Sequence, residues 1–128
     1  VMVAHVMFEL PVVQVSETLR TGPGQWLSEA IATFGLVAAI LGTLRFCPAA
    51  VPYAVGLFIS AGYWFTASTS FANPAVTIAR SFTDTFSGIQ PGHAPAFILA
   101  QVAGAVTATV LFAWLLKSEQ TIAASSEE

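Results

Sequence analysis

The chain has 128 residues, enough for one domain, and is 55% apolar and 9% charged with a net charge of −3. Soluble domains carry roughly 25% charged residues, so this chain lacks the charge to coat a water-soluble globule, and a soluble enzyme is excluded. Its four basic residues also exclude nucleic acid as a partner, because phosphate binding needs clustered Lys and Arg.

No Asp, Glu, Lys or Arg lies between Arg45 and Arg80 or between Asp84 and Lys117. That is the charge pattern of an integral membrane protein in a lipid bilayer. A spanning helix takes ~20 mostly apolar residues, since the hydrocarbon is ~30 Å thick and each residue rises ~1.5 Å. In chain order, residues 1–10 read as the last turns of a helix whose start is missing. Residues 11–25, with Glu17, Arg20 and the turn Gly22-Pro23-Gly24, read as a connecting loop. Residues 26–44 form a first full span with one charge, Glu29. Residues 50–68 and 95–116 form two more spans with none. Residues 117–128 read as a polar tail, acidic at its end.

Small residues recur at helix-crossing spacing: Ala100, Gly104 and Ala108, then Gly35 with Ala39 and Ala38 with Gly42. In lipid such faces let helix backbones approach closely, so the helices are expected to pack on one another there. Trp26, Tyr53 and Trp114 suit the membrane interfaces. Arg45 and Lys117 lie on one side of the spans and Arg20 on the other, so the basic-residue bias puts the C-terminus in the cytoplasm. The lone Cys47 forms no intrachain disulfide and reads as a small apolar residue near a helix end.

Residues 69–87 do not fit a span. The run Ser68-Thr69-Ser70-Phe71-Ala72-Asn73-Pro74-Ala75-Val76-Thr77 is uncharged but punctuated. Asn is a strong N-cap and Pro is favoured at the first helical position, so Asn73-Pro74 marks a helix start. Gly88, Pro91 and Gly92 stop that helix after about three turns, half a bilayer. A half-helix at membrane depth leaves N–H groups that lipid cannot satisfy, so irregular backbone there must face protein or a water-filled cavity. The sequence predicts a re-entrant loop with Asn73 near the midplane. The competing reading is a surface loop followed by an interfacial helix.

This run resembles the second Asn-Pro-Ala loop of the aquaporin and aquaglyceroporin (major intrinsic protein) family. Its flanks agree in order. Ser28-Glu29-Ala30-Ile31-Ala32-Thr33-Phe34 is similar to the family's fourth helix, Ala54-Val55-Gly56-Leu57 to the fifth, and Gln101-Val102-Ala103-Gly104-Ala105 to the sixth. The resemblance covers nearly the whole chain but maps onto only the second half of a family member. It implies an all-α membrane protein: the second half of an inverted repeat, with about three transmembrane helices and a re-entrant Asn-Pro-Ala half-helix. A first half of the same channel would be the partner, and homotetramers are the family habit.

By the same resemblance, Asn73, Pro74 and Ala75 line the pore centre, and the carbonyls of Ser70, Phe71 and Ala72 offer acceptors to passing solute. Glu29, with Thr33 in its helix pattern, supports the loop through the loop's backbone N–H groups. A carboxylate inside a span costs at least ~2.5 kcal/mol on insertion scales and must face protein or water. The departure from the family is Val76. Most members carry Arg directly after Asn-Pro-Ala as part of the selectivity filter, whereas here Arg80 follows four residues on. Residues i and i+4 share a helix face, so Arg80 would point at the pore one turn (~5.4 Å) nearer the outside. The filter would then involve Val76, Arg80, Ser70 and a fifth-helix residue near Tyr63. Losing a guanidinium there removes bulk and five donors and implies a wider filter.

The pattern is similar to a bacterial subgroup linked to metalloid handling. The implied function is a passive channel for water, glycerol-like polyols and undissociated arsenite, in a bacterial plasma membrane, with no cofactor and no metal. The alternatives are a non-conducting membrane fragment or scaffold, because a half cannot enclose a pore, and an ion-coupled transporter. The transporter would want paired intramembrane acids, and only Glu29 is present. His93, after the half-helix, could act as a pH gate, whereas His5 has no evident partner in the sequence.

Overall fold

The computed structural model describes residues 1–125 and is all-helical among them. Helix α1 covers Met2–Met7, α2 Pro23–Phe46, α3 Val51–Phe65, α4 Pro74–Arg80 and α5 Ala94–Ser125. Short 3-10 turns at Pro48–Ala50 and Pro91–His93 lead into α3 and α5. Prolines start these segments for a local reason: the first helical N–H has no partner, so a residue without one fits there. Pro23 opens α2 behind Gly22, whose φ of 107° suits glycine.

Two helical stretches, Pro23–Phe46 and Pro91–Leu116, are long and apolar enough to cross a membrane. They pack mainly on each other, and α3 packs on α2. The closest crossing is at Gly104, where a Cβ would collide with the Ala30 carbonyl of α2. Ala108, one turn on, is fully buried. At Gly35 a Cβ would meet the Phe58 ring of α3 at 2.6 Å. Small residues at these positions let the helix axes approach.

Helix α2 begins three residues before the expected 26 and ends two after 44, and three other element ends differ further. Helix α3 has 15 residues, about 22 Å at the helical rise, and stops before residue 68. Thr66 turns extended there, with its hydroxyl donating to the Gly62 carbonyl at 2.8 Å and sharing a hydrogen bond with the Ser70 hydroxyl at 2.8 Å. Helix α4 has 7 residues, two turns instead of three. It closes with 3-10-type bonds from Ser81 and Phe82, and the Ser81 carbonyl accepts from the Ser16 N–H at 3.0 Å. Helix α5 continues past Leu116 to Ser125 where a polar tail was expected. The end of that expected tail, 126–128, lies outside the described residues.

Burial is inverted relative to a soluble domain. Glu29, Ser16, Ser68 and Thr77 are fully enclosed and Gln101 nearly so, while Tyr53, Leu57, Trp64, Leu99 and Trp114 are exposed. The buried apolar cluster is small: Phe71, Ile89 and Phe97, with Val76 packed against it.

Candidate functional site

The enclosed polar residues converge on the segment that precedes α4. Asn73, extended at φ −159°, caps the helix by accepting the Ala75 N–H on its side-chain oxygen at 2.8 Å. Its own carbonyl accepts the Thr77 N–H at 3.0 Å and the Thr77 hydroxyl at 3.1 Å. Asn73, Pro74 and Ala75 are exposed in this chain.

Upstream, the backbone is contorted. Thr69, Ser70 and Ala72 have φ of 62°, 48° and 47°, a left-handed region that costs non-glycine residues about 1–2 kcal/mol each. A β-branched residue such as Thr69 is the least suited. The turn is held by Glu29 of α2. Its carboxylate accepts the Phe71 N–H at 3.4 Å and the Ala72 N–H in a shorter contact. Gln101 of α5 donates to the same carboxylate at 3.0 Å and to the Thr77 hydroxyl at 2.8 Å. One carboxylate and one amide thus tie α2, α4 and α5 to the loop. The Thr33 hydroxyl donates instead to the Glu29 carbonyl of its own helix at 2.9 Å. Thr33, Ala72, Asn73, Pro74 and Gln101 line one shared cavity.

The Phe71 and Ala72 N–H groups go to Glu29 and the Ser70 N–H to the Ser68 hydroxyl at 3.4 Å, and the turn sends its carbonyls elsewhere. Among the described residues, those of Ser70, Phe71 and Ala72 accept no hydrogen bond. Backbone acceptors in buried residues are nearly always paired, so three in succession are unusual.

The expected filter residues fall into two groups. Val76 and Arg80 share a face of α4. Val76 packs on the Phe71 cluster, and the Arg80 guanidinium carbon lies 4.4 Å from the Phe71 ring centre. Tyr63 is edge-on to Phe86, with ring centres 6.3 Å apart. The Ser70 side chain lies against Gly62, where a Cβ would meet its hydroxyl at 2.7 Å.

Two residues of the site were not legible as such. Arg20, in the segment before α2, is buried. It donates from Nε to the Gly88 carbonyl at 2.7 Å, from Nη1 to Ser68 at 3.1 Å and from Nη2 to Phe86 at 2.9 Å. Its guanidinium carbon lies 5.0 Å from the Phe71 ring centre. Burial holds its pKa below the ordinary arginine range and the neighbouring Arg80 charge lowers it further, while Tyr63 and Glu29 act oppositely. His5 is the second: one ring nitrogen meets the Val12 carbonyl at 2.9 Å and the other the Thr83 hydroxyl at 2.8 Å. His93 accepts the Arg20 N–H at 3.3 Å. No sequence signal pointed to these pairings, which join residues far apart in the chain.

A helical chain that encloses Glu29 and Arg20 and turns apolar sides outward, on helices long enough to cross a bilayer, is of the integral membrane class. The major intrinsic protein family model matches residues 25–127, and the chain belongs to that family. Proteins of this family are channels, not enzymes. The chain is 60% identical over 119 residues to the aquaglyceroporin AqpS of Rhizobium meliloti (strain 1021), an alignment covering 93% of this chain and 51% of that relative. The chain therefore spans about half the length of the curated relative it matches. No solved structure matches it.

Proposed function

We propose that this chain is the second half of a passive channel for water and small neutral solutes, with the segment before α4 as its re-entrant pore loop. The observation that carries this reading is the run of unpaired carbonyls at Ser70, Phe71 and Ala72 beside the Asn73 cap. In single file, a hydroxylated solute exchanges water for such acceptors without leaving hydrogen bonds unmade. Glu29 holds the run in this conformation by taking the Phe71 and Ala72 N–H groups.

In this reading Asn73, Pro74 and Ala75 lie at the pore centre. Val76, Arg80, Ser70 and Tyr63 belong to the filter. With Val76 where a guanidinium usually stands, the filter is wide and less polar. It admits glycerol-like polyols and undissociated arsenous acid as well as water. A first half with its own Asn-Pro-Ala loop completes the pore, and the full protein is a homotetramer in a bacterial plasma membrane with its C-terminus in the cytoplasm. The name of the relative, an aquaglyceroporin, agrees with polyol passage.

The test is stopped-flow light scattering on proteoliposomes holding the full-length protein. Glycerol entry and arsenous acid uptake should both exceed those of protein-free vesicles and keep a low activation energy. Rates equal to protein-free vesicles would refute the channel reading.

A further inference from the structure

Arg20 is buried with its Nε, Nη1 and Nη2 donating to the carbonyls of Gly88, Ser68 and Phe86. All three acceptors are neutral, and Arg20 forms no ion pair among the described residues. Enclosing a charge without an opposite charge is costly, and an apolar side chain would fill the same space at less cost. The three donors therefore call for a reason beyond packing.

The acceptors share a place in the chain. Ser68 immediately precedes the left-handed turn at Thr69 and Ser70, while Phe86 and Gly88 follow α4. One guanidinium thus joins the chain entering the loop to the chain leaving it. Its donors form a rigid planar fork, so it sets the separation of the two stretches as well as joining them. The base of the fork is itself held. The Arg20 N–H donates to Nδ1 of His93, in the turn that leads into α5, at 3.3 Å, and the Thr18 carbonyl accepts the Gln90 N–H at 2.8 Å. The Thr18 hydroxyl donates to the Thr85 carbonyl at 3.0 Å.

From this base the side chain reaches two sides of the loop. Its guanidinium carbon lies 5.0 Å from the ring centre of Phe71, the middle residue of the unpaired carbonyl run. Phe86, whose carbonyl it holds, meets the Tyr63 ring of α3 with centres 6.3 Å apart. Between these sides, the left-handed backbone at Thr69, Ser70 and Ala72 is costly for such residues and favours relaxing once an end is freed.

We propose that Arg20 is a positioning residue that sets the bore of the channel, holding the two ends of the pore loop at one separation through its planar fork. The proposal rests on the channel reading. Arg20 acts on solute through other residues: through Phe71 on one side, and through Phe86 and Tyr63 on the other. Its loss lets the turn relax and widens the passage, so a solute larger than glycerol gains most.

The experiment uses the full-length protein in proteoliposomes and reads, by stopped-flow light scattering, the ratio of entry rates for the five-carbon polyol xylitol and for glycerol. The ratio cancels differences in the amount of inserted protein, so a residue that only aids folding leaves it unchanged. Arg20→Met removes the fork and is expected to raise the ratio about tenfold, the lower end of what fit at a tight site discriminates. Arg20→Lys keeps the charge, but one ammonium lacks the planar fork, and it should raise the ratio likewise. A ratio at or below the parent's in either variant overturns the proposal; in Arg20→Lys it would mean that charge, not the fork, is what matters. Should Arg20→Met fail to fold, Arg20→Lys decides alone, and if neither folds Arg20 serves folding and the proposal falls. A parent protein that passes no glycerol removes the channel reading itself, and this inference with it.

Discussion

Gln101 donates a hydrogen bond to Glu29 at 3.0 Å across the α2–α5 interface, and the same amide nitrogen reaches Thr77 of α4 at 2.8 Å. Glu29 in turn accepts the Phe71 and Ala72 N–H groups, so the two side chains together fix where α4 begins. Replacing Glu29 by Gln keeps the shape but offers one acceptor oxygen where two served three donors. At least one buried donor then goes unpaired, at a cost of about 1–3 kcal/mol. Glu29→Gln is expected to lower the midpoint of thermal unfolding in detergent by several degrees and reduce glycerol entry. Unchanged stability and flux would mean that the loop is held by other contacts.

The crossing at Gly104 is backbone against backbone, and that sets a rank order. A methyl group at Gly104 meets the Ala30 carbonyl and lies 3.1 Å from the Phe34 nitrogen, neither of which can swing aside. A methyl at Gly35 meets the ring of Phe58, a side chain that can rotate. Gly56 has nothing within 4 Å. Gly104→Ala should therefore destabilise by about 1–3 kcal/mol, as overpacking does, and Gly35→Ala by less. Gly56→Ala should be neutral or gain up to about 1 kcal/mol in helix propensity. Thermal unfolding of the three variants checks the order, and a Gly104→Ala protein as stable as Gly56→Ala would contradict the close crossing.

What the sequence disclosed was what local chemistry decides. Long apolar runs gave α2 and α5, and the Asn73-Pro74 pair marked the start of α4 through its capping preference alone. Glu29 stood out because a carboxylate in an apolar run needs a partner, and the partners are backbone N–H groups of the loop. What stayed hidden depends on distance along the chain. Arg20 finds its carbonyls between 48 and 68 residues away, and His5 reaches Thr83 across 78. No periodicity encodes such pairings. The early stop of α4 is of the same kind, since the residues after Arg80 bond to the 14–18 segment instead of continuing the helix.

Thr69 carries two costs at once. Its φ of 62° is unfavourable for a β-branched residue, and its hydroxyl oxygen is buried without a partner. Asn tolerates the left-handed region through its short polar side chain. Thr69→Asn is therefore expected to stabilise the protein by about 1 kcal/mol, seen as a rise in unfolding midpoint, with glycerol entry little changed. A lower midpoint would show that the Thr69 methyl packs in a way that outweighs the strain.

Val76 is the position where solute preference should be most open to change. It is half-buried against Phe71 beside Arg80, one helical turn away on the same face. An arginine there would bring a third guanidinium to a ring that already carries two, and mutual repulsion would push it toward open space. In the proposed channel that space is the pore, so Val76→Arg should narrow the filter and add donors along it. Glycerol and arsenous acid entry are expected to fall about tenfold, the lower end of what one group in a tight site discriminates, while water entry falls much less because a water molecule still fits. Stopped-flow measurements of all three solutes on parent and variant proteoliposomes separate the two effects. Equal losses for all three would indicate a collapsed loop, and undiminished glycerol and arsenous acid entry would remove Val76 from the filter.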